Sequence, residues 1–382
     1  MRFFLNDPGR RSEVAPPPRA PLAFHLRLPG YQPTPLIKAP ALARLLGIGQ
    51  VLVKNESSRL GLPAFKILGA SWAIYRALEK RVGQSLAQWQ TIDELAELLA
   101  PVRPLTLATA TDGNHGRAVA HMAALLGFAA KIYVPAGAAQ ARIDGITSEG
   151  ARVEVIEGTY DDAVARAAQD ANERCLVISD TSWPGYEEIP RWVVEGYSTI
   201  MHEIDDELAR RGEKDPDLMA VQFGVGALAA AVVRHYRQAG RTAGAKILSV
   251  EPLAAACMLA AIGAGEIVTV PGPHDSIMAG LNCGRVSILA WPIVSQGIDA
   301  FIAVPDERAR DAMRALAGMG IVAGETGAAG LAGLIELLTG VENAQRREAL
   351  SIDESSRALI LVTEGATDPV AYRAIVAGTK GP

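Results

Sequence analysis

Short runs of β-branched residues recur along this 382-residue chain, and each is followed by a Gly, Pro or polar turn and a longer amphipathic or Ala-rich stretch. This alternation predicts repeated strand–helix units, which pack as a mainly parallel sheet covered by helices. The predicted strands cover residues 51–54, 106–109, 131–134, 152–156, 175–179, 219–223, 246–250, 301–304 and 358–363. The predicted fold class is α/β, with ligands expected at the carboxyl ends of the strands.

Length and connections predict more than one structural unit. A chain of 382 residues with 49% hydrophobic content can bury a large core and exceeds the size of a typical single domain. We expect an N-terminal extension over residues 1–29 and a large lobe formed by residues 30–89 and 186–382. Residues 90–185 are expected to form a smaller lobe inserted between these two segments.

Charge, hydropathy and cysteine content indicate what kind of molecule this protein binds. The net charge of -5 comes from 37 basic and 42 acidic residues mixed along the chain, without the Lys/Arg clusters that nucleic acids or anionic membranes require. No stretch approaches the about 20 apolar residues of a membrane span, and the N-terminus lacks the apolar core of a signal peptide. Three scattered cysteines and six histidines indicate neither a disulfide framework nor a metal site. A cytoplasmic protein with a small-molecule partner is expected.

A lysine in apolar surroundings marks the first loop of chemical interest. Residues 63–70 read Pro-Ala-Phe-Lys-Ile-Leu-Gly-Ala, and a helix is predicted to continue through Leu78. Burial by Phe65 and Ile67, together with the positive end of the helix dipole, is expected to lower the pKa of Lys66 and favour the neutral nucleophile. The structural alternative is a lysine whose stem lies on apolar surface while its ammonium reaches water.

Two further loops place glycines between a strand and a helix. Residues 110–117 read Ala-Thr-Asp-Gly-Asn-His-Gly-Arg, in which Asp112 and Asn114 either face a ligand or cap the helix. Residues 222–228 read Gln-Phe-Gly-Val-Gly-Ala-Leu, a turn in which backbone amides can bind a phosphate. No Lys-Ser/Thr pair follows, and Ala229 replaces the third glycine of a dinucleotide fingerprint. A monophosphate ester therefore fits better than a nucleotide.

Hydroxyl and acidic side chains occur in two loops near the C-terminus. Residues 361–369 end the last predicted strand, and Thr363 is expected to face the ligand cleft, although this segment also suits a helix cap before Pro369. Glu325 lies in the sequence Gly-Glu-Thr-Gly, where it either shapes the ligand pocket or caps the following helix.

Taken in order, these loops resemble those of the fold-type II pyridoxal-phosphate (PLP) enzymes, the group of threonine dehydratase, cysteine synthase and the tryptophan synthase β chain. The resemblance covers most of residues 30–375. Within the group, the chain is most similar to the diaminopropionate ammonia-lyases. Residues 110–117 read Ala-Thr-Asp-Gly-Asn-His-Gly-Arg where threonine dehydratases usually have Ser-x-Gly-Asn, and Asp112 is the distinguishing residue. Residues 180–183, 185–190, 278–284, 363–365 and 367–369 also match that family.

The resemblance implies two open, mainly parallel sheets in two lobes, a PLP cofactor in the cleft, and a homodimer. Lys66 would carry the cofactor as a Schiff base, Asn114 would bond its phenolic oxygen, and Thr363 would face its pyridine nitrogen. The residues implied to bind PLP are Lys66, Phe65, Asn114, Gly224, Val225, Gly226, Ala227, Leu228, Thr363 and Glu325.

The implied reaction is α,β-elimination of 2,3-diaminopropionate to pyruvate and ammonia. Lys66 is expected to remove the α-proton of the L-isomer and Asp112 that of the D-isomer. Asp180 is expected to bind the distal ammonium of the substrate. Serine would then be disfavoured by about 2–5 kcal/mol, because it leaves a buried charge unpaired.

Four positions depart from the pattern of this family: Pro63, Phe223, Pro184 and Ala366. Phe223 is expected to narrow the floor of the pocket, and Ala366 removes a carboxylate beside Thr363. The alternatives are a serine or threonine dehydratase, a β-replacement synthase acting through aminoacrylate, and a PLP-binding protein with reduced catalysis. Cys257 and Cys283 lie in motif-bearing segments, and in a cytosolic protein we expect buried thiols there.

Overall fold

The computed structural model describes residues 2–6, 14–241 and 244–378. Within these ranges strands alternate with helices, as the sequence predicts. The strands are β1 Phe3–Leu5, β2 Leu36–Lys38, β3 Gln50–Asn55, β4 Thr106–Ala110, β5 Ala129–Pro135, β6 Arg152–Ile156, β7 Cys175–Val177, β8 Leu218–Gln222, β9 Lys246–Pro252, β10 Ala300–Val304 and β11 Arg357–Val362. The helices are α1 Ala20–His25, α2 Pro40–Leu46, α3 Lys66–Val82, α4 Ile92–Leu98, α5 Asn114–Leu126, α6 Gln140–Thr147, α7 Tyr160–Ala168, α8 Glu188–Arg211, α9 Ala227–Tyr236, α10 Cys257–Ala264, α11 Trp291–Gly297, α12 Asp306–Ala317, α13 Ala329–Thr339, α14 Asn343–Leu350 and α15 Pro369–Val376.

The chain groups into two compact units, of which the first comprises Met1–Pro17, Pro33–Ser58 and Ile200–Pro382. It contains a seven-stranded sheet with the order β1-β10-β9-β8-β11-β3-β2. The five inner strands are parallel, whereas β1 and β2 pair antiparallel at the two edges. Helix α13 is buried except at Glu336 and Thr339 and packs against β8 and β9, so it is part of the core of this unit.

The second unit comprises Pro18–Gln32 and Arg59–Thr199. Its sheet has four parallel strands in the order β6-β5-β4-β7. Helix α5 packs on β4 and β5 and also contacts α3. A Cβ atom on Gly69 of α3 would lie 2.5 Å from Cε1 of Tyr197 in α8, so only glycine permits this close helix approach.

The nine predicted strands are confirmed, with ends shifted by at most two residues. Strands β1 and β2 were not predicted, because three-residue edge strands carry too short a pattern to be recognised. The lobe boundaries stay a prediction. All four strands of the second sheet fall within 90–185, while the contact-based units divide the chain near Arg59 and Thr199.

Among the residues that the structure describes, none of the helices combines the length and the apolar character that crossing a membrane requires.

Candidate active site

Lys66 is the first residue of helix α3 and lies in the second unit. Its Nζ atom donates to Oδ2 of Asp180 at 2.5 Å, and it lies 5.6 Å from the centre of the Phe65 ring. Phe65 is buried and packs in turn against Tyr197, with the ring centres 4.7 Å apart. The ammonium of Lys66 is therefore bonded to a carboxylate and lies beside aromatic side chains. The alternative, in which the ammonium contacts only water, does not apply.

Asp180 lies just after strand β7 and is only 5% exposed. While Lys66 donates to one carboxylate oxygen, the hydroxyl of Tyr160 donates to the other, Oδ1, at 3.0 Å. Tyr160 begins helix α7, whose start is fixed by a capping box between Thr159 and Asp162. Both oxygens of Asp180 are thus positioned by side chains from other elements.

The charges of this pair act on the pKa of each partner. Burial alone would lower the pKa of Lys66, as the sequence predicts, but the Asp180 carboxylate reverses the effect and raises it above its ordinary value. The predicted lowering is therefore wrong for the lysine as the structure shows it. Burial likewise opposes the charge of Asp180, yet the Lys66 ammonium holds the pKa of Asp180 below its ordinary value.

Asp112 and Asn114 lie at the start of helix α5, in the same unit as Lys66. The cap position is Gly113, with φ of 153°, and it makes no side-chain cap bond, so neither Asp112 nor Asn114 is the helix cap. Burial raises the pKa of Asp112 to about 6, against the opposing charges of Arg142 and Lys66. A carboxyl group with this pKa is suited to exchange protons near neutrality.

The backbone that leads to Asp180 is fixed by two ring side chains that sequence reasoning missed. The hydroxyl of Tyr186 donates to the carbonyl of Val177 at 2.7 Å and accepts from the amide of Ser179 at 3.0 Å. Nε2 of His115 lies 2.8 Å from the carbonyl oxygen of Ile178. Both residues belong to stretches that match the lyase family, which is the signal that would have identified them.

In the first unit, the predicted phosphate loop connects β8 to helix α9. Gly226 has φ of 102°, and a Cβ atom there would lie 2.7 Å from Cζ of Phe223 and 2.9 Å from Cβ of Ala290. A Cβ atom on Gly224 would lie 3.0 Å from the carbonyl oxygen of Gly280. Glycine is required at both positions, and the turn leads directly into the amide groups of the helix start at Ala227.

Thr363 follows strand β11 in the same unit and is 1% exposed. Its hydroxyl oxygen accepts from Nε2 of Gln222 at 2.8 Å, so its own hydrogen is available for another acceptor. Gln222, the polar residue that ends the apolar strand β8, was not predicted as a site residue. Glu325 is buried before helix α13, whose cap position is Ala328.

Phe223 and two cysteines pack around the phosphate loop. Phe223 is 1% exposed, and its ring lies beneath Gly226, where it supports the turn. Cys257 and Cys283 are buried thiols, as predicted. Sγ of Cys257 lies 3.6 Å from the carbonyl oxygen of Gly224, and a Cβ atom on Gly224 would meet Sγ of Cys283 at 3.4 Å.

A group of metal-ligand side chains, which the sequence pattern does not predict, also occurs in the first unit. Ligand atoms of His202, Asp205 and His235 lie within 4.8 Å of one another. The guanidinium of Arg241 donates to both oxygens of Asp205, and one of its nitrogens lies 2.7 Å from Nε2 of His235. A cationic side chain thus already occupies the position that a metal ion would take.

The residues of both units fit PLP. The turn from Gly224 to Ala227 is crowded at its two glycine positions and leads into the amide groups of a helix start, which suits a phosphate ester. The buried Thr363 hydroxyl has a hydrogen to donate, which suits a neutral pyridine nitrogen. Lys66 supplies the amine that an aldehyde requires.

Comparison with known proteins agrees with this fit. Over 381 residues, which are 98% of this chain and 94% of the relative, the sequence is 36% identical to diaminopropionate ammonia-lyase of Escherichia coli K12. It is also 36% identical over 369 residues to that of Salmonella typhimurium, covering 93% and 90% of the two chains.

Solved structures show the same relationship. The crystal structure of diaminopropionate ammonia-lyase from Escherichia coli in complex with D-serine matches with a TM-score of 0.89 and 35% identity, covering 98% of this chain and 96% of that one. A threonine deaminase of Solanum lycopersicum, 23% identical with a TM-score of 0.69 and coverage of 98% and 99%, shares the fold. The family of pyridoxal-phosphate dependent enzymes matches residues 27–364, and the chain belongs to this family, with the type II fold.

Proposed function

We propose that this chain is a PLP-dependent carbon–nitrogen lyase that eliminates the β-amino group of 2,3-diaminopropionate and yields pyruvate and ammonia. The observation that carries the proposal is the partly buried pair of Lys66 and Asp180, in which the carboxylate binds an ammonium at 2.5 Å. With PLP held by Lys66, a free Lys66 ammonium would no longer be available to Asp180. Asp180 then needs another cation, and the distal ammonium of the substrate supplies one.

We assign the cofactor contacts residue by residue. Lys66 would hold PLP covalently, with Phe65 beside it, and Asn114 would bond its phenolic oxygen. The backbone of Gly224, Val225, Gly226, Ala227 and Leu228 would bind the phosphate, with Thr363 at the pyridine nitrogen and Glu325 near the pocket. When bound, PLP withdraws electrons from the α-carbon of the substrate and makes its proton removable.

We assign a separate base for removal of the α-proton to each enantiomer of the substrate. The Lys66 amine is the base proposed for the L-isomer. Asp112 is proposed for the D-isomer, because burial raises its pKa to about 6 and so makes its carboxylate a stronger base than an exposed aspartate. The retention of both groups favours an active lyase over a protein that only binds PLP.

The Asp180 assignment is supported by its surroundings. Tyr160 and Lys66 orient its two oxygens, and a cation beside the carboxylate, here the Lys66 ammonium, holds the pKa of Asp180 below its ordinary value in spite of burial. A β-hydroxyl group would leave this charge without a cationic partner, so a β-amine is preferred. A small amino acid is thus the substrate class, and we further propose a cytoplasmic homodimer on the basis of the family resemblance.

The experiment compares kcat/KM for DL-2,3-diaminopropionate, serine and threonine in the PLP-loaded wild type and in the Asp180→Asn variant. We expect wild type to prefer diaminopropionate, and Asp180→Asn to lose about 30-fold or more on that substrate but much less on serine, because about 2 kcal/mol of ion pairing is lost. Pyruvate release is the readout.

Asp170→Asn is the matched control, because Asp170 also pairs with a lysine, Lys131 at 2.9 Å, on another part of the unit. Its substrate preference should equal that of wild type. A wild-type enzyme that prefers serine or threonine would contradict the proposal and indicate a dehydratase.

A further inference from the structure

We propose that His115 is a specificity-determining residue, whose Nδ1 atom accepts a hydrogen bond from the distal ammonium of the substrate beside Asp180. This inference rests on the proposed function, since it names a second group that recognises the β-amine.

The hydrogen bond of the His115 ring fixes its tautomer. Nε2 lies 2.8 Å from the carbonyl oxygen of Ile178, and a carbonyl only accepts, so the ring proton must reside on Nε2. Nδ1 is then a lone-pair acceptor. The side chain is 2% exposed, and Nδ1 has no hydrogen-bond partner among the described residues. A buried acceptor without a partner can be satisfied by a donor that arrives with a ligand.

The position of this ring places it next to the proposed substrate groups. His115 follows Asn114 in the first turn of helix α5, and its partner Ile178 lies two residues before Asp180. The charges of Asp180 and Lys66 both act on the imidazole, while burial lowers the pKa of His115. The ring therefore stays neutral, and Nδ1 keeps its lone pair at neutral pH.

The pair of acceptors matches an ammonium better than a hydroxyl. A distal ammonium has three N–H donors, so it can bond a carboxylate oxygen of Asp180 and Nδ1 of His115 at the same time. The hydroxyl of serine has one hydrogen and can satisfy only one of the two acceptors. Loss of the Nδ1 acceptor should therefore weaken the binding of diaminopropionate and leave serine nearly unaffected.

The test uses His115→Gln in the PLP-loaded enzyme. The terminal amide nitrogen of glutamine can take the place of Nε2 and keep the bond to Ile178, but no atom replaces Nδ1. We expect the ratio of kcat/KM for diaminopropionate to that for serine to fall about tenfold, mainly through KM, as the loss of one hydrogen bond to a charged donor implies. The visible spectrum of the bound cofactor should not change.

His121→Gln is the control, because His121 lies on the same helix and pairs with Glu149 at 2.9 Å, outside the proposed site. It should keep the wild-type ratio. An unchanged ratio in a folded His115→Gln enzyme would overturn the proposal.

A second variant decides the question if His115→Gln does not fold. In His115→Asn the shorter amide can place its oxygen near the former Nδ1 position while it loses the bond to Ile178. Retained preference for diaminopropionate supports the acceptor role, and lost preference overturns it. If wild type itself prefers serine, the proposed function fails; if wild type prefers diaminopropionate but the variants do not alter the ratio, only the role of His115 fails.

Discussion

The chemistry at the residue scale is set by one partly buried ion pair, between Lys66 and Asp180. Lys66 and Asp180 are separated by 114 positions in the chain but lie 2.5 Å apart. The sequence predicted the apolar surroundings of Lys66 correctly and the direction of its pKa wrongly, because no local pattern reveals a partner so distant. Two further contacts were not predicted for the same reason. They are the hydrogen bond from Tyr160 to Asp180 and the hydrogen bond from His115 to the carbonyl oxygen of Ile178.

The pKa of Asp112 predicts a difference between the two enantiomers. Only the carboxylate can act as a base, and with a pKa of about 6 its fraction falls about tenfold for each pH unit below that value. We expect kcat/KM for the D-isomer to decline below about pH 6, whereas the L-isomer, for which Lys66 is the base, should not follow this profile. Steady-state rates from pH 5 to 8 on each isomer provide the measurement.

Asp112→Asn supplies the control for this profile. It should remove activity on the D-isomer at every pH while activity on the L-isomer persists. Parallel profiles for the two isomers in wild type would refute the assignment of Asp112.

At the scale of elements, the predicted strands were found because their β-branched runs are long and end in turn residues. Strands β1 and β2 were missed, since a three-residue antiparallel edge depends on pairing with a distant neighbour rather than on its own sequence. Helix α5 begins at Asn114, and Gly113 rather than a polar side chain occupies its cap position.

Helix α10 also depends on a residue outside its own sequence, Glu251. Glu251 lies in strand β9, is fully buried, and accepts from the amides of Met258 and Leu259 at 2.7 and 2.8 Å, at the start of helix α10. Glu251→Ala should lower the free energy of unfolding by about 1–3 kcal/mol for each amide left without a partner. Urea denaturation measures the loss, and Glu251→Gln, which retains an acceptor oxygen, should lose clearly less. Equal stability of the alanine variant and wild type would contradict this capping role.

For the whole molecule, the α/β class and the parallel sheets were predicted from the alternation of strands and helices, and the PLP chemistry from the set of loops. The arrangement of the lobes was not derivable from local patterns, because helix α8 begins in the second unit and ends in the first. The position of a unit boundary within a helix depends on the tertiary contacts of that helix rather than on its sequence.

Cofactor binding is expected to stabilise the whole molecule. A ligand that binds only the folded state adds about 2.7 kcal/mol at a concentration 100 times its Kd. PLP should therefore raise the Tm by several degrees, as measured by calorimetry on the apo and PLP-loaded protein, and the increase should be smaller in Lys66→Ala, which cannot bond the aldehyde. An equal Tm with and without PLP would argue against the assigned cofactor site.

The most direct test of the account is the stoichiometry of the reaction. Ammonia and pyruvate should be quantified together after the PLP-loaded enzyme has consumed 2,3-diaminopropionate, with Lys66→Ala in parallel. Elimination of the β-amine followed by hydrolysis of the remaining α-amine predicts two ammonia molecules per pyruvate in wild type and essentially no product in the variant. One ammonia per pyruvate, or undiminished turnover in Lys66→Ala, would contradict elimination of the β-amine at Lys66.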